Sequence, residues 1–115
     1  MGTEPQDVRE LRLARNETLF REVNERIEQV TERFAAPDPM SFVCECAVNS
    51  CARHVELSRE AYEAIRSNPK RFVVAPDHDD PEIENVVERH KAYMVVEKIG
   101  AGARIAIATD RRSEN

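Results

Sequence analysis

An α+β fold follows from three features of the sequence. A run free of Gly and Pro over residues 6–34 carries helical periodicity, a series of short β-prone segments follows it, and all three cysteines fall within eight residues between the two. The expected architecture is a long N-terminal helix followed by a small, mainly antiparallel sheet with short helices and a cysteine knuckle. Residues 1–36 read as the amphipathic helix, 40–109 as the α+β domain that holds the cysteines, and 110–115 as a flexible tail.

In the helical run, Leu13, Asn16, Phe20, Val23, Ile27, Val30 and Phe34 recur at alternating spacings of three and four, which is a heptad seam. Thr3 and Gln6 have capping-box spacing, so the helix can begin near Glu4. Glu17 with Arg21 and Glu22 with Arg26 are i,i+4 pairs expected on the outer surface. The plain reading is that the helix covers one face of the domain. The sharper reading is self-association, because about 30 residues of helix span roughly 45 Å, more than a small domain needs, and a seam that overhangs the body stays wet in a monomer. Asn16 would then fix the register.

Ala35-Ala36-Pro37-Asp38-Pro39 ends the helix, since two prolines in three residues cannot continue it. Phe42-Val43-Cys44 reads as a short strand, Ala47 through Ser50 as a tight knuckle, and Arg53-His54-Val55-Glu56-Leu57 as an alternating strand. Ser58 is suited to cap a helix through about Ser67, with Leu57 and Tyr62 placed as a hydrophobic staple. Arg71-Phe72-Val73-Val74-Ala75 has the content of a buried central strand, and residues 76–81 form an acidic loop carrying His78. Residues 82–98 fit a helical face or a hairpin. The β-prone Tyr93-Met94-Val95-Val96-Glu97 favours a hairpin that turns near His90-Lys91-Ala92 and pairs with residues 85–89. Residues 103–109 form a short helix.

The charge balance narrows the function classes. Twenty-two acidic residues against seventeen basic ones give a net charge of −5, which disfavours nucleic-acid binding through a uniformly basic surface. No apolar run reaches the roughly 18 residues of a membrane span, and Met1-Gly2-Thr3-Glu4-Pro5 lacks a basic-then-apolar signal pattern, so a cytoplasmic protein is expected.

Three cysteines cannot all pair, and a reducing cytosol opposes disulfides. Cys44, Cys46 and Cys51 instead read as soft thiolate ligands of zinc, with polar Glu45, Asn49 and Ser50 between them. The alternative is three small buried hydrophobes. Among candidate fourth ligands, His78 is favoured because its loop can swing over the knuckle. His54 follows, although strand alternation can point it away; His90 lies on a turn, and Asp77 and Asp79 are weaker oxygen donors. A Cys44/Cys46/Cys51/His78 centre is closed and carries a formal charge of about −1, two positive charges against three negative, which makes the zinc structural rather than catalytic. The neighbouring Asp77, Asp79, Asp80, Glu82 and Glu84 are expected to repel anionic substrates. The sequence holds no phosphate-cradling glycine loop, nucleophile motif or two-histidine metal helix, so no catalytic residue and no small-molecule substrate is assigned.

Phe42-Val43-Cys44-Glu45-Cys46 followed by Cys51, then Val55-Glu56-Leu57 with Tyr62-Glu63, Arg71-Phe72-Val73-Val74-Ala75-Pro76 with His78, and Glu88-Arg89-His90 before Tyr93-Met94-Val95-Val96-Glu97-Lys98, resembles a group of small uncharacterised bacterial proteins of actinobacterial type. The segment Ala14-Arg15-Asn16-Glu17-Thr18-Leu19-Phe20-Arg21-Glu22-Val23-Asn24 is similar to theirs as well, so the resemblance covers most of the chain. Those relatives carry Pro-Gly-His at Pro76-Asp77-His78 and a turn with Asp-Gly at Lys91-Ala92. The resemblance implies the metal site and no particular activity.

The leading expectation is therefore a non-catalytic zinc module acting by protein contact, its long helix serving a homodimer or another protein partner. A thiol/zinc redox switch is second; zinc-containing anti-sigma factors suggest it, although their His-x3-Cys-x2-Cys motif is absent. Nucleic-acid or ribonucleoprotein binding through Lys70-Arg71 with Arg53, or through Arg111-Arg112, is third. A metal hydrolase comes last, since it requires one ligand to leave the metal.

Overall fold

The structure is a computed structural model that describes residues 6–33, 39–46, 48 and 51–110. Eight elements follow in order: α1 (Gln6–Arg33), β1 (Met40–Val43), β2 (His54–Leu57), α2 (Arg59–Arg66), β3 (Arg71–Val74), β4 (Glu84–Arg89), β5 (Met94–Lys98) and α3 (Gly100–Ala108). The fold class is the α+β one expected, with every strand pair antiparallel. The strands divide into a β1-β2 pair and a three-stranded sheet of order β3-β5-β4, rather than one small sheet. The chain between the cysteines joins the two. Cys44 N–H donates to Arg53 O at 2.9 Å, extending the β1-β2 ladder, and Glu45 N–H donates to Val73 O at 2.8 Å on the free edge of β3.

This crossing explains one departure from expectation. β3 is an edge strand of its own sheet, not the central one, yet Val73, Val74 and Ala75 are fully buried because the cysteine segment covers that edge. A strand covered on both sides reads as a continuous apolar run whichever element covers it. The core gathers Phe42, Val55, Leu57, Tyr62, Ile65, Phe72 and Val73 with Met94, Val95 and Val96 of β5. Phe42 and Tyr62 stack with ring centroids 4.3 Å apart. Burial of each large aliphatic or aromatic side chain contributes on the order of 1.5–3 kcal/mol.

Local signals placed most elements well. Ser58 caps α2, its Oγ accepting from Ala61 N–H at 3.0 Å. The hairpin of β4 and β5 forms as expected, with a register shift between Val86 and Glu88. α3 begins at Gly100 instead of Ala103, and Gly100 enters it at φ +64, a conformation that glycine adopts without strain. Asp110 belongs to the body and not to the tail: it is buried, and Arg66 Nη2 donates to it at 2.8 Å. Thr3, Phe34, Ala47, Asn49, Ser50, Arg111 and Arg112 lie outside the described residues.

The largest correction concerns α1. The face it turns to the domain is not the apolar seam but Ala14, Glu17, Arg21, Asn24 and Glu28, a second row with the same three-four spacing. Leu13, Asn16, Phe20 and Ile27 are half-buried at its margin, while Val23 and Val30 remain exposed. Polar side chains win the inner position because the domain offers each a specific partner. Arg21 donates to Pro69 O at 2.7 Å and Ala106 O at 3.0 Å, and its guanidinium lies over the Phe72 ring. Glu17 and Arg21, expected as an outer i,i+4 pair, are thus both buried and engaged elsewhere.

Glu17 meets Lys98 Nζ at 2.8 Å, and the same ammonium donates to Glu84 at 3.0 Å. Two buried carboxylates on one lysine leave an excess negative charge. Burial pushes the Glu17 carboxyl up to about 8, with Glu84 adding to the rise and Lys98 opposing it. A raised carboxyl binds its proton more tightly in the folded state, so its contribution to stability is complete below pH about 4.5 and fades as pH rises towards 8. Denaturant unfolding measured from pH 5 to 9 is expected to show the stability of the chain falling with pH relative to that of Glu17→Gln, which stays neutral and keeps the same cysteine cluster.

Candidate metal centre

The cysteine segment leaves β1 pinned on both sides. Asn24 of α1 donates from Nδ2 to Val43 O at 2.8 Å, and Val43 N–H donates to Asn24 Oδ1 at 2.7 Å. This double clamp orients the backbone immediately before Cys44. The side chain between the first two cysteines then turns inward. Glu45 is fully buried and accepts from Asn24 Nδ2 at 2.8 Å, Val73 N–H at 2.9 Å and Tyr62 Oη–H at 3.1 Å. Burial raises its carboxyl above the usual range, and the hydrogen bonds from Asn24 and Val73 work against that rise.

With Glu45 held inside, Cys44 and Cys46 emerge towards a common point. Cys44 Sγ accepts Ala75 N–H at 3.1 Å, which ties it to the end of β3. Cys51 N–H donates to Val48 O at 3.0 Å. His78 arrives by a turn, in which His78 N–H donates to Ala75 O at 3.0 Å. Pro76 holds the second position of that turn and Asp77 the third, at φ +66, the combination a type II turn demands. A left-handed Asp is tolerated at a cost of about 1 kcal/mol, and it brings the imidazole back over the cysteines.

The ligand atoms of Cys44, Cys46, Cys51 and His78 all lie within 4.8 Å of one another. His78 Nδ1 stands 3.6 Å from Cys44 Sγ and 3.5 Å from Cys51 Sγ. The four residues chosen from the sequence form a cluster that can hold a metal ion. The three cysteines are not merely core hydrophobes: Cys44 and Cys46 are buried, but Cys51 is half-exposed and all three converge on the imidazole. Of the rejected ligands, His54 is exposed with Nδ1 3.4 Å from Ser41 Oγ, and His90 pairs with Glu88 at 2.8 Å and stacks on Tyr93. Strand alternation does turn His54 away.

The thiols polarise one another. In the metal-free protein a hydrogen bond from Cys44 lowers the Cys46 thiol to about 5, with help from His78 and against the effect of burial. Cys44, as donor and as a buried group, is pushed above its ordinary range. A divalent ion replaces the shared proton and favours all three thiolates at once.

A cleft of about 790 Å³ opens beside the cluster. Cys46, Cys51 and His78 form part of its wall, with Leu13, Val48 and Ile83 as apolar surface and Arg9 and Arg53 as cations. The expected anionic screen is weaker than the sequence implies, because Arg9 meets Asp80 at 3.0 Å and Glu82 at 3.1 Å, and Lys98 meets Glu84. Arg71, one of the residues considered for nucleic-acid contact, is paired with Glu97 at 3.1 Å.

Asn24, Tyr62 and Glu45 were missed as site-supporting residues. The only trace of them in the sequence is an ionisable residue between two ligands and a polar residue recurring at helical spacing in α1. Among the described residues no helix is long and apolar enough to cross a membrane. Comparison with family models, with curated proteins and with solved structures yields no match to this chain.

Proposed function

We propose that this chain is a non-catalytic, zinc-binding module of the cytoplasm that acts by protein contact, with α1 as its contact surface and a homodimer as its simplest form. The observation that carries the metal assignment is the convergence of Cys44, Cys46, Cys51 and His78 within 4.8 Å. Three sulfurs and one imidazole nitrogen suit tetrahedral zinc, and thiolates favour it over hard cations. Such a centre is electron-rich and fully coordinated, which suits holding the fold better than activating water.

The contact surface is the outer side of α1. Val8, Leu19, Val23 and Val30 are exposed, and at 3.6 residues per turn they fall within about 60° of arc. Of the seam that suggested pairing, Val23 and Val30 are left outward by the chain's own domain, and Val8 and Leu19 extend that apolar strip. The resemblance to actinobacterial-type proteins belongs to the same proposal, supported by the positive φ at Asp77, where those relatives carry glycine.

Metal analysis with light scattering tests both parts. One zinc per chain and a dimeric mass are expected. Val23→Glu is expected to weaken self-association at least about tenfold, or 1.4 kcal/mol, without loss of zinc. A monomer at high concentration would sink the homodimer, and a chain purified without metal would sink the module.

A further inference from the structure

The three thiols of the cluster are not equivalent towards solvent. Cys44 is 2% exposed and Cys46 is 3% exposed, whereas Cys51 is half-exposed. Cys44 Sγ is also engaged by Ala75 N–H, and a hydrogen bond to sulfur lowers its reactivity. Cys51 stands in the wall of the 790 Å³ cleft, with Cys46 beside it in the same wall. That volume is in the range that takes an organic molecule rather than a few waters. Leu13, Val48, Ala52 and Ile83 supply apolar surface, and Arg53, two residues after Cys51, supplies a cation in the same wall.

We propose that Cys51 is a modification site, the thiolate at which an organic hydroperoxide seated in this cleft opens the metal centre. The inference rests on the zinc-module reading and adds to it a substrate class and a mode of regulation.

Cys51 Sγ attacks the terminal oxygen of the hydroperoxide. The S–O bond forms as the O–O bond breaks, and the alkoxide leaves and takes a proton from solvent to become the alcohol. The Cys46 thiolate then attacks the Cys51 sulfur; an S–S bond forms, the S–O bond breaks, and hydroxide leaves and is protonated to water. Two thiolates supply the two electrons that reduce the peroxide. Zinc, left with Cys44 and His78, is released. The ligand atoms already lie within 4.8 Å of one another, so the resolving step needs little movement of the sulfurs.

The test uses the zinc-loaded full chain with cumene hydroperoxide and, separately, hydrogen peroxide. Zinc release is followed with a metallochromic dye, and thiol state by peptide mass spectrometry after rapid alkylation. Cys51 is expected to be the first thiol oxidised, and one Cys46–Cys51 disulfide is expected per zinc released. Ala52→Trp enlarges an exposed residue of the cleft wall and replaces none of the four cluster side chains. It is expected to slow the reaction with cumene hydroperoxide about tenfold and to change that with hydrogen peroxide less than about twofold, since access limits only the larger oxidant. Oxidation of Cys44 as early as Cys51, or an Ala52→Trp rate that is unchanged or equally slowed for both oxidants, overturns the inference and leaves the zinc module standing. A chain that binds no zinc overturns both.

Discussion

Removal of the proposed zinc with a high-affinity chelator is expected to abolish the cooperative thermal transition of the chain, and restoring one equivalent is expected to bring it back. The binding free energy of a structural Cys/His zinc site is about 10–16 kcal/mol at neutral pH, as large as the entire stability of an ordinary domain, about 5–15 kcal/mol. The cluster stands where the two small sheets meet, with Cys44 tied to β3 through Ala75 N–H and His78 carried by the turn that follows β3. Without the ion the structure keeps three thiols and an imidazole crowded within 4.8 Å. Cys44→Ser and His78→Ala should each reproduce the metal-free state, because neither leaves a fourth donor of comparable strength. Acid should release the metal as well, because protons compete with the ion for the three thiolates and the imidazole. Circular dichroism melts with and without chelator decide the matter. A metal-free chain that melts at the same temperature would show that the core holds the fold alone.

Glu45→Ala is expected to destabilise the chain by about 2–6 kcal/mol, since two buried donors lose their acceptor and each such loss costs about 1–3 kcal/mol. The substitution leaves Val73 N–H and Tyr62 Oη without the carboxyl they donate to, and Asn24 Nδ2 with Val43 O alone. It also leaves a void between two metal ligands, so zinc affinity should fall with stability. Asn24→Ala is expected to cost less than Glu45→Ala but to act through the same network, and the double substitution should cost less than the sum. Denaturant titrations of the two single variants and the double variant measure that coupling; strict additivity would show that α1 and the cysteine segment are energetically separate.

Local chemistry announced most of the strands and short helices. The Ser58 cap, the β-branched run from Phe72 to Val74 and the hairpin ending in Met94-Val95-Val96 each act through neighbours in sequence, and each element formed there. The three thiols of the cluster were legible for the same reason, since clustered thiols have few other uses, whereas the choice of His78 over His54 rested only on which segment could reach the knuckle. The inner face of α1 was not. Leu13, Phe20, Val23 and Ile27 announce an apolar face by periodicity, yet the domain selects Glu17, Arg21 and Asn24. Periodicity reports hydrophobicity only, and the partners of those three, Lys98, Ala106 O and Glu45, are between 21 and 85 residues away in sequence.

The sequence by itself determined the kinds of element, their order and the three thiols suited to a soft metal, because those depend on residue type and short spacing; the structure brought His78 rather than His54 to them. Only the tertiary structure decided that the strands divide into two sheets, that β3 is an edge covered by the cysteine segment, and that α1 docks by polar contacts and leaves Leu19, Val23 and Val30 outward. Those outcomes turn on which buried donors and acceptors find partners once distant segments meet, and an unmet buried group costs about 1–3 kcal/mol. That cost is large enough to rotate a helix away from its own apolar seam.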